Sequence, residues 1–466
     1  MKMVRSNAPS LKGRIADAGP ERFFWDRAAR LCVNRLARGT SFGSRLAELA
    51  GRSVVVATSS QLTSALALIE LDGVARRLTI LPPDTAADHL GPLFACAEAD
   101  AVVIDAGTLD HPALDLPVRV VCAPAIVQAE RLSLPHLPTE WVLLTSGTSG
   151  VPKMALHSLA SLIAPIGAGQ RLDGAVVWGT FYDIRRYGGL QIFLRTIIGG
   201  ASLVLSCAAE PIADHLDRLA RCGVTHLSGT PSHWRRALMS PEIGKISPRY
   251  VRLSGEIADQ AILDSLRATF PEAGIGHAYA STEAGVAFEV NDGLAGFPID
   301  FLDHDCDGVE LKLVDGALRI RSPRTAQRYL GTQHAPLRDR DGFVDTGDMV
   351  ESRGDRYVFA GRRGGIINVG GLKIHPEEIE AVINRHPQVR MSLVRPKRNP
   401  VTGAIVIADV VLKVDCARAG GEQQQIKNDI LQLCRDALPR HKVPAAISIV
   451  PALDVGATGK LARRYG

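Results

Sequence analysis

No stretch of this sequence reaches the ~18 consecutive apolar residues of a membrane-spanning helix, and no membrane anchor is expected. Lys2, Arg5, Lys12 and Arg14 stand near the start with no apolar run behind them, so a signal peptide is not expected either. Cys-x-x-Cys pairs are missing. The eight cysteines, at positions 32, 96, 122, 207, 222, 306, 416 and 434, mostly stand beside apolar residues, the pattern of buried thiols in a reduced, cytoplasmic protein. Charge of one sign is scarce: the formal net charge is +5, and basic residues fall in scattered pairs such as Arg76-Arg77 and Arg185-Arg186. Without a basic stripe interleaved with aromatics, nucleic acid is not an expected partner. Internal repeats and low-complexity tracts are absent as well.

What is present is the composition of a globular protein. Hydrophobic residues make up 46% and charged residues 22% of the 466 positions, a length for about two to four domains with large cores. From position 53, short β-branched runs alternate with helical-period segments: strand 53–57, helix 61–71, strands 78–81 and 101–105. The rhythm returns with candidate strands at 176–178, 202–205, 224–228, 251–254 and 274–279. Such alternation predicts parallel sheet covered by helices, one α/β body reaching to about residue 290. Between 297 and 360 short alternating strands with turn residues predict an antiparallel subdomain.

After Gly361 a small unit of α+β character is expected. Pro376 fits the first turn of a helix with Ile379, Val382 and Ile383 on one face, and Pro387 is read as its stop. Strands at 391–394 and 405–412 follow, then a helix carrying Ile426, Ile430, Leu433 and Ala437, closed by Pro439. The expected fold is thus α/β, a large N-terminal body over 1–360 and a small C-terminal lid domain over 361–466, hinged in Gly361-Arg-Arg-Gly-Gly365.

The segment Thr145-Ser146-Gly147-Thr148-Ser149-Gly150-Val151-Pro152-Lys153 is rich in hydroxyls and glycines and ends in a lysine. Backbone N–H groups converging at its glycines, several hydroxyls and the Lys153 charge suit phosphate, although a Ser/Thr/Gly-rich surface turn has the same composition. It is not a Walker loop, because Met154 stands where a magnesium-binding hydroxyl would follow the lysine. Further clusters are weak singly. Tyr279-Ala280-Ser281-Thr282-Glu283 ends a candidate strand, where open α/β sheets bind ligands; Glu283 alone also reads as a helix N-terminal carboxylate. Asp348 is a sugar clamp or a turn residue, Arg362 a fixed cation or a surface ion pair, and Lys460 after Gly459 a functional lysine or a solvated charge.

Taken in order, these stretches resemble the adenylate-forming superfamily of acyl-CoA synthetases, aryl-CoA ligases, peptide-synthetase adenylation domains and beetle luciferases. The resemblance runs from about residue 50 to Arg463. It rests on the 145–153 loop, Ser281-Thr282-Glu283, Thr346-Gly347-Asp348, Gly361-Arg362, the 370–380 segment from Gly370-Gly371 to Glu380, and Gly459-Lys460. It implies a soluble enzyme that joins a carboxylic acid to ATP, releasing pyrophosphate, and then passes the acyl group to a thiol. By the same resemblance the 145–153 loop would hold the β- and γ-phosphates, Thr282 the α-phosphate and Glu283 a Mg2+ ion. Ser254, Gly255, Glu256, Tyr279 and Ala280 would line the adenine, and Asp348 with Arg362 would hold the ribose. Lys460 would reach both reacting groups, and rotation about Gly364 would exchange it for Gly370 and Gly371 beside the pantetheine of CoA.

The chain departs from the pattern at Gly364, where Asp or Lys is usual, and at Asn368, where a lysine is common; glycine there predicts a looser pivot. The acyl pocket is expected among Tyr187, Gly188, Gly189, Thr230, His277 and Ala278. The position where amino-acid-activating members carry an aspartate falls near Tyr187 and not on Asp183, so an aryl or medium-chain acid is expected, with the two glycines leaving room for it. Arg186 would pair with a second anionic group or with a surface carboxylate. CoA is the expected acceptor; carrier-protein pantetheine is an alternative, and a nucleotide- or acyl-binding protein without catalysis is a second.

Overall fold

The computed structural model describes residues 9–16, 20–108, 114–129, 136–145, 152–166, 175–305, 308–331, 335–399, 403–413, 420–456 and 458–463. Strands Ser53–Val56, Arg77–Ile80 and Ala101–Ile104 are wholly buried and parallel, as continuous β-branched runs favour. With Val118–Val121, β1 (Glu140–Leu144), β2 (Met154–Ser158) and Arg328–Tyr329 they make a seven-stranded sheet. β1 and β2 are antiparallel, Met154 opposite Leu144, so the glycine-rich loop joins the two arms of a hairpin.

An eight-stranded sheet holds the rest of the body. Phe23–Trp25, Arg30–Cys32, Val177–Thr180 and Ser202–Val204 form one half; helix α1 (Tyr187–Gly199) lies over it, and helix α2 (Pro231–Ala237) follows strand His226–Gly229. β3 (Tyr250–Ser254) and β4 (Gly274–Ser281) continue in parallel, and β5 (Gly285–Val290) folds back antiparallel at the edge. The single body expected up to residue 290 is therefore two sheets. Between them lies helix Gln61–Leu71, whose 11 residues are all buried and whose apolar side chains share one core with α1 and with strands of both sheets.

The expected antiparallel subdomain is a five-stranded sheet that includes β6 (Val344–Arg353) and β7 (Arg356–Arg362). Strand Arg328–Tyr329 leaves that region and pairs with β2. In the C-terminal part, helix α3 (Pro376–Ile383) packs on the hairpin Val389–Asn399/Gly403–Leu412, which strand Ala446–Ile449 joins in parallel. Pro387 does not stop α3. The helix ends at Ile383, where Arg385 N and His386 N bond back to the carbonyls of Val382 and Ile383 and tighten the last turn. No helix among the described residues is long and apolar enough to cross a membrane.

Candidate active site

The ends of β1, β3 and β4, the hairpin β6–β7 and the chain terminus face one cleft of ≈ 780 Å³. Thr145 and Lys153 stand on its wall, the Thr145 N–H bonding to the Lys153 carbonyl at 2.9 Å across the hairpin neck. Ser146, Gly147, Thr148, Ser149 and Gly150 lie outside the described residues. Lys153 Nζ is 5.1 Å from the centre of the Tyr329 ring, and the Tyr329 hydroxyl donates to Glu283 Oε1 at 3.1 Å. A tyrosine thus links the lysine to the carboxylate, and sequence reading missed it.

Thr282 and Glu283 sit in the turn between β4 and β5. The turn is held from outside by His157, whose Nε2 donates to the Thr282 carbonyl at 2.8 Å while Nδ1 accepts from Ser161 Oγ at 3.3 Å. Burial lowers the His157 pKa to about 4, so the ring is neutral and this tautomer is the one both contacts require. Glu283 is an isolated carboxylate; among the described residues no three His, Cys, Asp or Glu side chains gather as a metal site. One carboxylate beside a place for phosphates fits Mg2+, which keeps most of its waters, and does not fit a caged ion.

Tyr279 forms the opposite wall. Its ring stacks on Phe359 at 5.1 Å and on Phe288 at 5.6 Å, nearly parallel to both, and its hydroxyl donates to Asp348. Arg362 Nε donates to the other Asp348 oxygen at 3.1 Å. Burial and the Asp348 charge raise the Tyr279 pKa, which keeps the phenol protonated as the donor. Asp348 and Arg362 form the ion pair that is one of the two expectations for Arg362, but the pair lines the cleft.

Lys460 closes the cleft. A Cβ placed on Gly255, just past β3, would lie 3.4 Å from Lys460 Cε and 3.9 Å from Nζ. Burial, then the Arg362 guanidinium, lowers the Lys460 pKa below the ordinary lysine value. Its placement is built by neighbours. Thr230 Oγ1, the cap of α2, donates to the Gly459 carbonyl at 2.5 Å, and Leu461 N donates to Glu256 Oε1 at 2.8 Å. The second Glu256 oxygen accepts from Ser232 N at 2.9 Å, so this carboxylate ties the start of α2 to the terminal strap. Gly459 has φ +73 and lies directly on the His233 ring, where any Cβ would collide at 1.8 Å. His233, held neutral at about 3 by burial, is the floor of that turn and was not anticipated.

Arg463 anchors the strap to the small domain. Its Nη1 and Nη2 donate to the two oxygens of buried Glu380 at 2.8 and 2.7 Å, and Nε approaches Glu377 at 3.5 Å. Of the expected site residues, Thr145, Lys153, Gly255, Glu256, His277, Ala278, Tyr279, Ala280, Ser281, Thr282, Glu283, Asp348, Arg362 and Lys460 line the cleft.

The others stand elsewhere. Ser254 is buried and accepts from the Tyr182 hydroxyl, and Thr230 acts through Gly459. Gly370 and Gly371 form the turn between strands Ile367–Val369 and Leu372–Ile374, away from the cleft wall, and Gly364 is in the 3-10 turn Arg363–Gly365. The room expected at Gly188 and Gly189 is filled. A Cβ on Gly189 would meet the Asp183 carbonyl at 2.1 Å, and Gly188 packs on the Tyr182 ring, so these glycines serve the close start of α1. Arg186 pairs with Asp84.

With this geometry in view, comparison with known proteins is decisive for the family. Residues 79–330 match the AMP-binding enzyme family and residues 378–460 its C-terminal domain. The chain is similar to 2-succinylbenzoate–CoA ligase of Bacillus cytotoxicus, 26% identical over 362 residues that cover 73% of this chain and 72% of that one. It is similar also to 4-coumarate–CoA ligase 1 of Glycine max, 27% identical over 48% of this chain and 82% of that one. Among solved structures the anthranilate CoA ligase AuaEII, in complex with anthranoyl-AMP, superposes with TM-score 0.80 at 17% identity, covering 97% of this chain and 95% of that one. The amide bond synthetase McbA of Marinactinospora thermotolerans does so with TM-score 0.77 at 19% identity, covering 97% of both chains. The chain therefore belongs to the AMP-binding enzyme family, within the adenylate-forming superfamily its motifs resemble, and is an enzyme of the acid–thiol ligase type.

Proposed function

We propose that this enzyme activates an aryl or medium-chain carboxylic acid with ATP and transfers the acyl group to CoA. A carboxylate oxygen attacks the α-phosphorus of ATP, the bond to the β-phosphate oxygen breaks, and pyrophosphate leaves with that electron pair. The thiol sulfur then attacks the acyl carbon of the acyl-adenylate, AMP departs, and the thiol proton is lost to solvent or a base.

One observation carries the reading: Lys153 and Lys460, more than three hundred positions apart in sequence, line the same cleft with Glu283, Asp348 and Arg362. Two anions must meet in the first step, so its barrier is dominated by repulsion and positioning, and preorganised cations lower both contributions. Lys460 is assigned to the attacking carboxylate and the α-phosphate, and Lys153 with the 145–153 loop to the departing phosphates. Thr282 is assigned to the α-phosphate. The Tyr279–Asp348–Arg362 wall is assigned to the nucleoside: the flat stacked ring suits adenine, and Asp348 accepts from ribose hydroxyls. Glu283 would hold Mg2+, which neutralises phosphate charge when bound.

The relatives named for 4-coumarate, 2-succinylbenzoate and anthranilate act on aromatic acids, which supports an aryl substrate. In the second step the small domain turns about Gly364, withdraws Lys460 and brings Gly370 and Gly371 to the pantetheine arm. Glycine at this pivot has more backbone freedom than the residues with side chains usual there. A panel of carboxylic acids in an ATP–pyrophosphate exchange assay tests the first step, and AMP release dependent on free CoA tests the second. Absence of exchange with every acid, ATP binding intact, rejects the reading; exchange that needs a carrier protein for AMP release rejects CoA as acceptor.

A further inference from the structure

The face of the eight-stranded sheet turned toward α1 carries a polar layer that none of the steps above uses. Strand register puts Arg252 of β3 between Ser228 and Gly276, and Ser254 next to Ala278, which pairs in turn with Glu289 of β5. Across from them, Tyr187, Gln191 and Arg195 recur every fourth residue along α1 and so share one face. Arg252 and Gln191 are each 2% exposed.

Among the described residues the charges in this layer do not balance. Glu289 accepts from Arg252 Nε at 3.0 Å and from the Tyr250 hydroxyl, and Arg195 Nη2 stands 3.9 Å away. Two guanidiniums share one carboxylate. Burial and the Arg252 charge bring the Arg195 pKa down to about 10, a sign of that crowding. Arg252 Nη2, Arg195 Nε, Gln191 Oε1 and Ser228 Oγ are buried and have no hydrogen-bond partner among the described residues. Bound water could satisfy such hydrogen bonds but not the surplus cation, and an uncompensated buried charge is costly.

The layer adjoins the cleft at small side chains: Ala278 and Ala280 line the cleft and also pack against the core that holds α1. Gly255, against which Lys460 rests, is three residues beyond Arg252 on the same strand direction, a span of about 10 Å. We propose that the acid this enzyme takes is a dicarboxylic acid, its second carboxylate received by Arg252 and Arg195 between α1 and β3 while the first meets Lys460. The planar guanidinium fork of Arg252 matches a carboxylate in two parallel bonds and would use the nitrogen that has no partner. The role open to Arg186 from its sequence position thus falls to two other arginines, which the fold brings together from α1 and β3. This inference rests on the adenylation reading of the same cleft.

Matched acids test it in pyrophosphate exchange with the full chain: octanedioate against octanoate, and para-carboxycinnamate against cinnamate. The diacid of at least one pair is expected to win in kcat/KM by about ten-fold or more, a buried charge-assisted pair being at stake. Arg252→Met collapses that ratio through KM, and Arg252→Lys restores part of it. Should Arg252→Met fail to fold, judged by its unfolding transition, Arg195→Met is expected to reduce the same ratio. As a readout apart from activity, the favoured diacid raises the Tm of the native enzyme and not that of the variant. Equal use of both acids, or preference for the monoacids, overturns the inference and leaves adenylation standing. Exchange with no acid of either series, ATP binding intact, overturns the adenylation reading and this one with it.

Discussion

Thr230 Oγ1 donates a 2.5 Å hydrogen bond to the Gly459 carbonyl, so a helix cap in the body of the enzyme fixes the turn that presents Lys460. The same hydroxyl accepts from His233 N at 3.0 Å and closes the first turn of α2. Thr230→Val loses both contacts. It should cost about 1 kcal/mol of stability as a lost cap, read by thermal unfolding, and slow pyrophosphate exchange more than thioester formation from supplied acyl-adenylate. Thr230→Ser should recover both; a variant that unfolds early but exchanges normally would detach the cap from the chemistry.

Lys460→Ala should lower exchange by about 10²- to 10³-fold, the effect of losing one transition-state donor. Thioester formation from supplied acyl-adenylate should be largely retained. Equal loss of both steps would reject a small domain that serves them in two orientations.

The pH profile follows from the lowered Lys460 pKa. Adenylation needs the protonated amine, so exchange should fall on the alkaline side before the range of an ordinary lysine. Lys460→Arg, which does not titrate there, should lose that limb though at a lower absolute rate. For stability the sign is opposite. The unfolded chain has the higher pKa and binds the proton more tightly, so this lysine opposes folding at low pH, and the penalty fades as pH rises through the folded pKa toward the unfolded one.

Arg463→Met removes the fork that holds both Glu380 oxygens. Among the described residues Glu380 then keeps the Val394 N–H at 2.8 Å as the one hydrogen bond to a buried carboxylate. A loss of about 2 kcal/mol is expected, below the range for a fully buried pair because Arg463 is partly exposed. Thermal unfolding reads it, and exchange should fall with it, since the strap carrying Lys460 loses its anchor on α3. Arg463→Lys should restore the charge but not the two-pronged geometry.

Tyr279→Phe keeps the stack with Phe288 and Phe359 and removes the hydroxyl from Asp348. The expected result is a KM for ATP raised by about three- to ten-fold, a stability change near 1 kcal/mol, and little change in the KM of the acid. A raised KM for the acid alone would take this wall away from the nucleoside.

Much of this architecture could be read before the structure. The parallel strands from Ser53 onward, the antiparallel sheet and the helices after Pro376 all follow from period and punctuation, and they lie within a few residues of their expected places. Fourteen of the expected site residues line one cleft, because their motifs resemble a family that uses them together. What escaped depends on pairing between distant segments. His157 finds Thr282 across 125 positions, Thr230 finds Gly459 across 229, and Glu256 finds Leu461 across 205. None of these has a local signal, since a buried histidine or a capping threonine looks the same whatever it touches. Gly188 and Gly189 misled for the opposite reason: absence of a side chain marks either free space or close packing, and only Asp183 and Tyr182 decide which.

Among the described residues the terminal strap is hydrogen-bonded to the body from Thr230 to Gly459 and from Leu461 to Glu256, and is clasped to α3 by an arginine fork. At about 1 kcal/mol for the first and about 2 kcal/mol for the second, which is made to a carboxylate, these two hydrogen bonds are a modest hold. In the proposed two-step reaction, loss of pyrophosphate would remove the anion assigned to Lys460, and the strap would leave with the small domain it is fastened to, so the contents of the cleft would time the swing.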